Sequence, residues 1–177
     1  MALTLITTNT SSNAASSSFT SGIDSTYKLY IFKYYDVNPA TDNQNFTFQG
    51  NVVGQSGYNE TITSAYFSNR HNEAGDDTTL AYDSDRHQNQ ETGYQVLNGG
   101  VGNGGDESVA GELFLFNPSN TTYIKHWYSV SQMYNGSNYS EQAYAGGYFN
   151  VTGAIDEISF KFASGNFDVT IKMYGVG

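Results

Sequence analysis

GAIDEISFKFASGNFDVTIKMYGVG, residues 153–177, is the stretch that decides the fold. Taken two residues at a time, Ile158, Phe160 and Phe162 share one face and Ser159 and Lys161 the other. Ser164-Gly165-Asn166 is turn chemistry: glycine supplies positive φ, and the asparagine side chain bonds its own backbone. Phe167, Val169, Ile171 and Met173 then alternate with Asp168, Thr170 and Lys172. The apolar period is two, which a helix does not satisfy. The expectation is a β-hairpin with one buried and one wet face, its last strand tied into a sheet.

The same period recurs upstream. YKLYIFKYYD (27–36) places Leu29 and Ile31 opposite Tyr30, Phe32 and Tyr34, so burial on both sides, or a buried interface, is expected. Asn38-Pro39 marks a loop, and NFTFQ (45–49) gives a short strand. GELFLF (111–116), apolar on both faces, reads as a central core strand stopped by Pro118. TTYIKHWYSV (121–130) and YFNV (148–151) are further strands, rich in aromatic and β-branched residues. No dozen-residue window carries an amphipathic helix. The fold class is therefore all-β: a single antiparallel, jelly-roll-like β-sandwich of about eight strands over residues 22–177. At 177 residues the chain is long enough to bury about 70% of its unfolded surface.

Residues 1–21 read as an extended, Ser/Thr-rich N-terminal arm. A low-complexity stretch such as TTNTSSNAASSSFTS (7–21) is disordered in isolation. Its order must come from packing, either along its own sandwich or on a neighbouring subunit.

Charge excludes several classes. The net charge is −10 with only 7 Lys and Arg, whereas a nucleic-acid surface needs clustered cations. An acidic surface also opposes anionic membranes, and no stretch of 18 apolar residues exists to insert in one. The absence of cysteine removes disulfides, a thiol nucleophile and a thiolate metal site. MALTLITTNTSS lacks the basic and apolar regions of a signal peptide, so none is expected. N-x-S/T sequons, as at Asn45 and Asn150, are what chance gives in an Asn-, Ser- and Thr-rich chain.

Candidate chemistry is sparse. GGVGNGGDES (99–108) is glycine-rich, but a phosphate loop continues Gly-Lys-Ser/Thr where this one places Asp106 and Glu107. A surface loop is the simpler reading. Asp76, Asp77, Asp83 and Asp85 fall within ten residues, and Ca²⁺ is the one ion such a carboxylate cluster would suit, although the spacing is not that of an EF-hand. The alternative is a solvated acidic loop; no other cofactor is expected. Asp83, Asp85, Glu91, Asp106 and Glu107 supply carboxylates for glycoside hydrolysis only if two of them meet at the required separation. His71, His87 and His126 are scattered, and no G-x-S-x-G elbow accompanies them. The expected protein is not an enzyme. The clearest compositional signal is 15 Tyr with 1 Trp, amphipathic rings that suit protein interfaces and stack on sugars. Tyr30, Tyr34, Tyr123, Trp127, Tyr128, Tyr134 and Tyr139 are the candidate contact residues, Tyr35, Tyr144 and Tyr148 further rings of the same kind; ordinary strand filler accounts for part of the set.

Three stretches, FTSGIDSTYKLYIFKYYDVNPATDNQNFTFQ (19–49), GELFLFNPSNTTYIKHWY (111–128) and AGGYFNVTGAIDEISFKFASGNFDVTIKMYGVG (145–177), resemble small β-rich structural proteins of tailed, especially marine, phage virions. The resemblance runs through most of the chain. It implies a non-enzymatic virion surface protein assembled in the bacterial cytoplasm, a homo-oligomer, expected as a trimer, in contact with other capsid or tail proteins. A head decoration or cement protein is the first placement it implies. A tail-fibre or tail-knob receptor-binding module in contact with host glycan is the second. No heptad or stem repeat is present, which favours the first.

Overall fold

The computed structural model describes residues 2–177. Thirteen strands follow in order: β1 (Leu3–Ala14), β2 (Ser17–Phe19), β3 (Leu29–Pro39), β4 (Gln44–Val52), β5 (Ile62–Asn72), β6 (Thr78–Tyr82), β7 (Asn89–Glu91), β8 (Gln95–Val101), β9 (Val109–Phe116), β10 (Lys125–Tyr134), β11 (Tyr139–Phe149), β12 (Ile155–Phe162) and β13 (Phe167–Val176). They form two packed sheets, nine strands and four. Among the described residues no helix is long and apolar enough to cross a membrane.

Eight strands make the central sandwich. β1-β13-β3-β9 lie in the large sheet, and β2-β12-β4-β8 form the small one. Taken in chain order, these eight alternate between sheets at every step but one, β4 to β8, which is jelly-roll topology. The remaining strands are two insertions. β5–β7 leave the chain between β4 and β8, and β10–β11 between β9 and β12. They join side by side and prolong the large sheet as β10-β11-β5-β6, with β7 also on β5. The large sheet thus overhangs the small one.

Aromatic rings fill the space between the sheets. Phe160 of β12 is fully buried and touches Phe19, Phe32, Tyr34, Phe46 and Phe48 at centroid distances of 5.7–6.4 Å. Such pairs add about 0.5–1.5 kcal/mol each beyond the area they bury.

Two expectations change, and the choice left open for the N-terminal segment is decided. β12 and β13 are not a hairpin: β12 pairs with β2 and β4, whereas β13 pairs with β1 and β3. The 163–166 turn, with Gly165 at φ 79°, carries the chain from one sheet to the other. Both strands are amphipathic, but their apolar faces meet across the core, Phe162 against Phe167 at 5.5 Å and 70°. Alternation identifies a buried face and leaves the hydrogen-bonding partner open. The N-terminal segment, second, lies on its own sandwich: β1 runs antiparallel along the edge of β13, and β2 joins β12. Third, β9 is central in its sheet, between β3 and β10, but only Val109, Leu113 and Leu115 are buried. Phe114 and Phe116 stand on the outer, solvent-facing side.

Candidate binding face

The outer face of the large sheet is built by the register of β9, β10, β11 and β5. Phe114, Tyr128, Gly146 and Ala65 are directly paired across these strands. The next outward row is Glu112, Val130, Tyr144 and Phe67, continued by Tyr82 on β6. On β10 the inward positions Lys125, Trp127, Ser129, Ser131 and Met133 are buried, so His126, Tyr128, Val130, Gln132 and Tyr134 point outward.

Rings on neighbouring strands stack across this face. Phe114 and Tyr128 lie 4.5 Å apart at 13°, and Phe67 and Tyr144 lie 4.8 Å apart at 8°. Those distances are the spacing between strands, so the rings stand upright, face to face. Beyond Tyr128 the row breaks at Gly146 and Ala65. The result is a depression of about 280 Å³, floored by Gly146, Ala65 and Val130 and walled by Tyr128, Tyr144 and Phe67. A Cβ on Gly146 would meet nothing closer than 3.5 Å, ordinary contact. The fold therefore has room for a side chain there, and the glycine leaves the floor open. Gly147 beside it differs: a Cβ would run into the Thr63 carbonyl and lie 2.9 Å from Ser64 Cα.

Two further depressions follow along β10. One of about 290 Å³ is bordered by Lys33, Glu112, Val130, Gln132 and Gln142. The next, of about 270 Å³, is bordered by Ala110, Gln132, Tyr134 and Ser140. The first two share Val130, and the second two share Ala110 and Gln132. The charges in this trench cancel, because Lys33 Nζ lies 3.1 Å from Glu112 Oε2. That contact raises the Lys33 ammonium pKa.

The anticipated contact residues divide. Tyr30, Tyr34 and Trp127 are core residues at 0–2% exposure and present no contact surface. Their strands alternate as expected, but the rings fall on the inward face. Tyr123 is 70% exposed in the β9–β10 loop, where it lines a separate recess with His126 and Thr152. Lys125 anchors that loop, its buried ammonium donating to the carbonyls of Tyr123 and Thr152 at 2.6 and 3.1 Å. Tyr128 and Tyr134 border the trench. Tyr139 donates to Asp77 at 2.5 Å and lies under Arg70, away from it. Phe67, Phe114, Val130 and Gly146 were absent from that set. Their signal was the outward half of each period-two pattern, which sequence alone does not orient.

The four aspartates do not gather. Asp76 and Asp77 sit in the β5–β6 turn, bonded to Asn72, and Asp83 and Asp85 lie past the far end of β6. Five strand residues, about 16 Å, separate the pairs. Among the described residues no three His, Cys, Asp or Glu side chains come together as a metal site. The candidate hydrolytic carboxylates lie on three segments, after β6, on β7 and between β8 and β9. Glu91 is on β7, and Glu107 folds back to accept the Gly104 N–H at 2.6 Å, filling the glycine-rich loop with a carboxylate where a phosphate would lie.

A carboxylate that sequence did not single out is Glu141, 2% exposed on the inner face of the overhang. Arg86 bridges it to Asp83 at 3.4 and 3.2 Å and lies over the Tyr66 ring. Burial pushes the Glu141 carboxyl above its usual range, with Arg86 opposing, and raises the Tyr66 phenol to about 12. The guanidinium fills the space between the two carboxylates, so the cluster clasps the 83–88 loop to β11.

No protein-family model matches the chain, and no curated protein matches it in sequence.

Proposed function

We propose that this chain is a non-enzymatic surface protein of a tailed-phage virion, placed at the tail fibre or tail knob as a host-attachment module. The observation that carries the reading is the solvent-open aromatic trench on the overhanging sheet. Exposed stacked rings on a rigid sheet suit recognition, since little side-chain entropy is lost on contact. The N-terminal segment, for which a neighbouring subunit was one of two expected resting places, is paired within its own sandwich, so it supplies no argument for the head-decoration placement, which keeps the absence of a stem repeat. The virion setting itself rests on the resemblance of residues 19–49, 111–128 and 145–177.

Immunogold labelling of purified particles tests this. Label confined to the tail tip or fibres is the expected result. Label over the head restores the decoration placement, and absence from the particle overturns the virion reading.

A further inference from the structure

We propose that the trench along β10 binds a linear, uncharged glycan of about three sugar units, with the slot over Gly146 holding one pyranose ring against the open face of Tyr128. The biological setting rests on the attachment reading above, whereas the chemistry stands on the trench alone.

The slot continues a ring ladder. Phe114 and Tyr128 stack at strand spacing, and Gly146 is the next position in the same row. A flat apolar ring face placed there adds a third member, and neither φ nor contact at Gly146 requires glycine. Glycine inside a strand often marks close approach of a ligand.

Three features select a glycan over a protein side chain. First, the depressions are nearly equal, about 280, 290 and 270 Å³, and share walls in series. From Tyr128 to Tyr134 they span about 20 Å of strand. A series of equal cups suits a chain of equal units. Second, polar capacity is left free at the rim: the hydroxyls of Tyr128 and Tyr144 and the Gln142 amide make no hydrogen bond to the described residues. Apolar ring faces topped by unpaired hydroxyls match the two-sided character of a pyranose. Third, the single ion pair in the trench is self-neutralised while the chain carries −10. That balance repels polyanions and favours an uncharged ligand.

The test uses the purified full chain. An array of neutral linear glycans identifies ligands, and isothermal titration with oligomers of two to six units follows. Affinity should rise to about three units and then level. Gly146→Leu fills the slot, and Tyr128→Ala removes its wall; each should weaken binding about tenfold, the scale of one lost ring stack, with the melting temperature of Gly146→Leu held near that of the parent. Gln142→Ala should weaken the longer oligomers and spare the disaccharide. Failure of every neutral glycan to bind overturns the proposal, as does binding that Gly146→Leu leaves unchanged. Self-association abolished by Gly146→Leu would make a second copy the occupant and overturn it too. Tail labelling without glycan binding sinks this inference alone, and glycan binding without particle labelling sinks the virion reading alone.

Discussion

The hydroxyl of Tyr34 lies 2.9 Å from the Oγ of Ser129, both fully inside the sandwich, joining β3 to β10 across the intervening β9. The ring reaches over because β9 carries Gly111 at the paired position. Burial pushes the Tyr34 phenol up to about 12. Tyr34→Phe keeps the ring and strands Ser129 Oγ without a partner, which should cost about 1–2 kcal/mol. Urea denaturation measures it. An unchanged midpoint would mean that the hydroxyls contribute nothing net.

β1 makes a second prediction. It pairs with β13 from Leu3 to Ala14, and its Ile6 packs on the core. Deleting residues 3–14 bares the β13 edge, a ready template for intermolecular pairing. The truncated chain should melt about 5–10 °C lower, the shift of a few kcal/mol at this length, and aggregate faster. A segment that served only to reach a neighbouring subunit could be removed with no change in melting temperature.

The central strands were legible because their apolar residues recur every two positions: Tyr30, Phe32 and Tyr34 lie inward in β3 as the alternation requires. The overhang was not. β5 (ITSAYFSNRHN) and β6 (TTLAY) are polar or exposed along much of their length, since only one end of β5 lies over the small sheet. Their pairing is set by backbone hydrogen bonds, β5 to β11 and β6 to β5, which leave no hydropathy pattern. The trench was half legible. Tyr128 and Tyr134 stood out as rings, whereas Gly146 contributes through a missing side chain and Phe67 through register with Tyr144.

Glu141 gives a pH dependence. Burial raises its carboxyl above the ordinary glutamate value of 4.5. The folded state therefore favours the protonated form, and folding takes up a proton in the window between the two values. The stability linked to this group is fully present below pH 4.5 and is lost as pH rises through the folded value. Glu141→Gln removes that linkage and leaves Arg86 paired with Asp83 at 3.2 Å. Melting temperatures measured from pH 4 to 8 should fall less steeply in the variant than in the parent. Parallel curves would show that Glu141 titrates as it does in the unfolded chain.

Two adjacent glycines separate fold from site. Gly147 faces inward against β5, where a Cβ would collide with the Thr63 carbonyl, backbone that cannot move aside without breaking the β11–β5 ladder. Gly147→Ala should destabilise by about 1–3 kcal/mol, the cost of overpacking. Gly146 faces outward with open space above it, and its nearest neighbour to a Cβ is at 3.5 Å. Gly146→Ala should leave stability unchanged or raise it by up to about 1 kcal/mol, because alanine loses less backbone entropy in a strand. Chemical denaturation of the two variants side by side decides the matter. If both are destabilised equally, Gly146 serves the fold and the open slot is a by-product of packing. If only Gly147→Ala is, the bare floor beside Tyr128 is free of any structural requirement, and ligand binding is the property left to account for it.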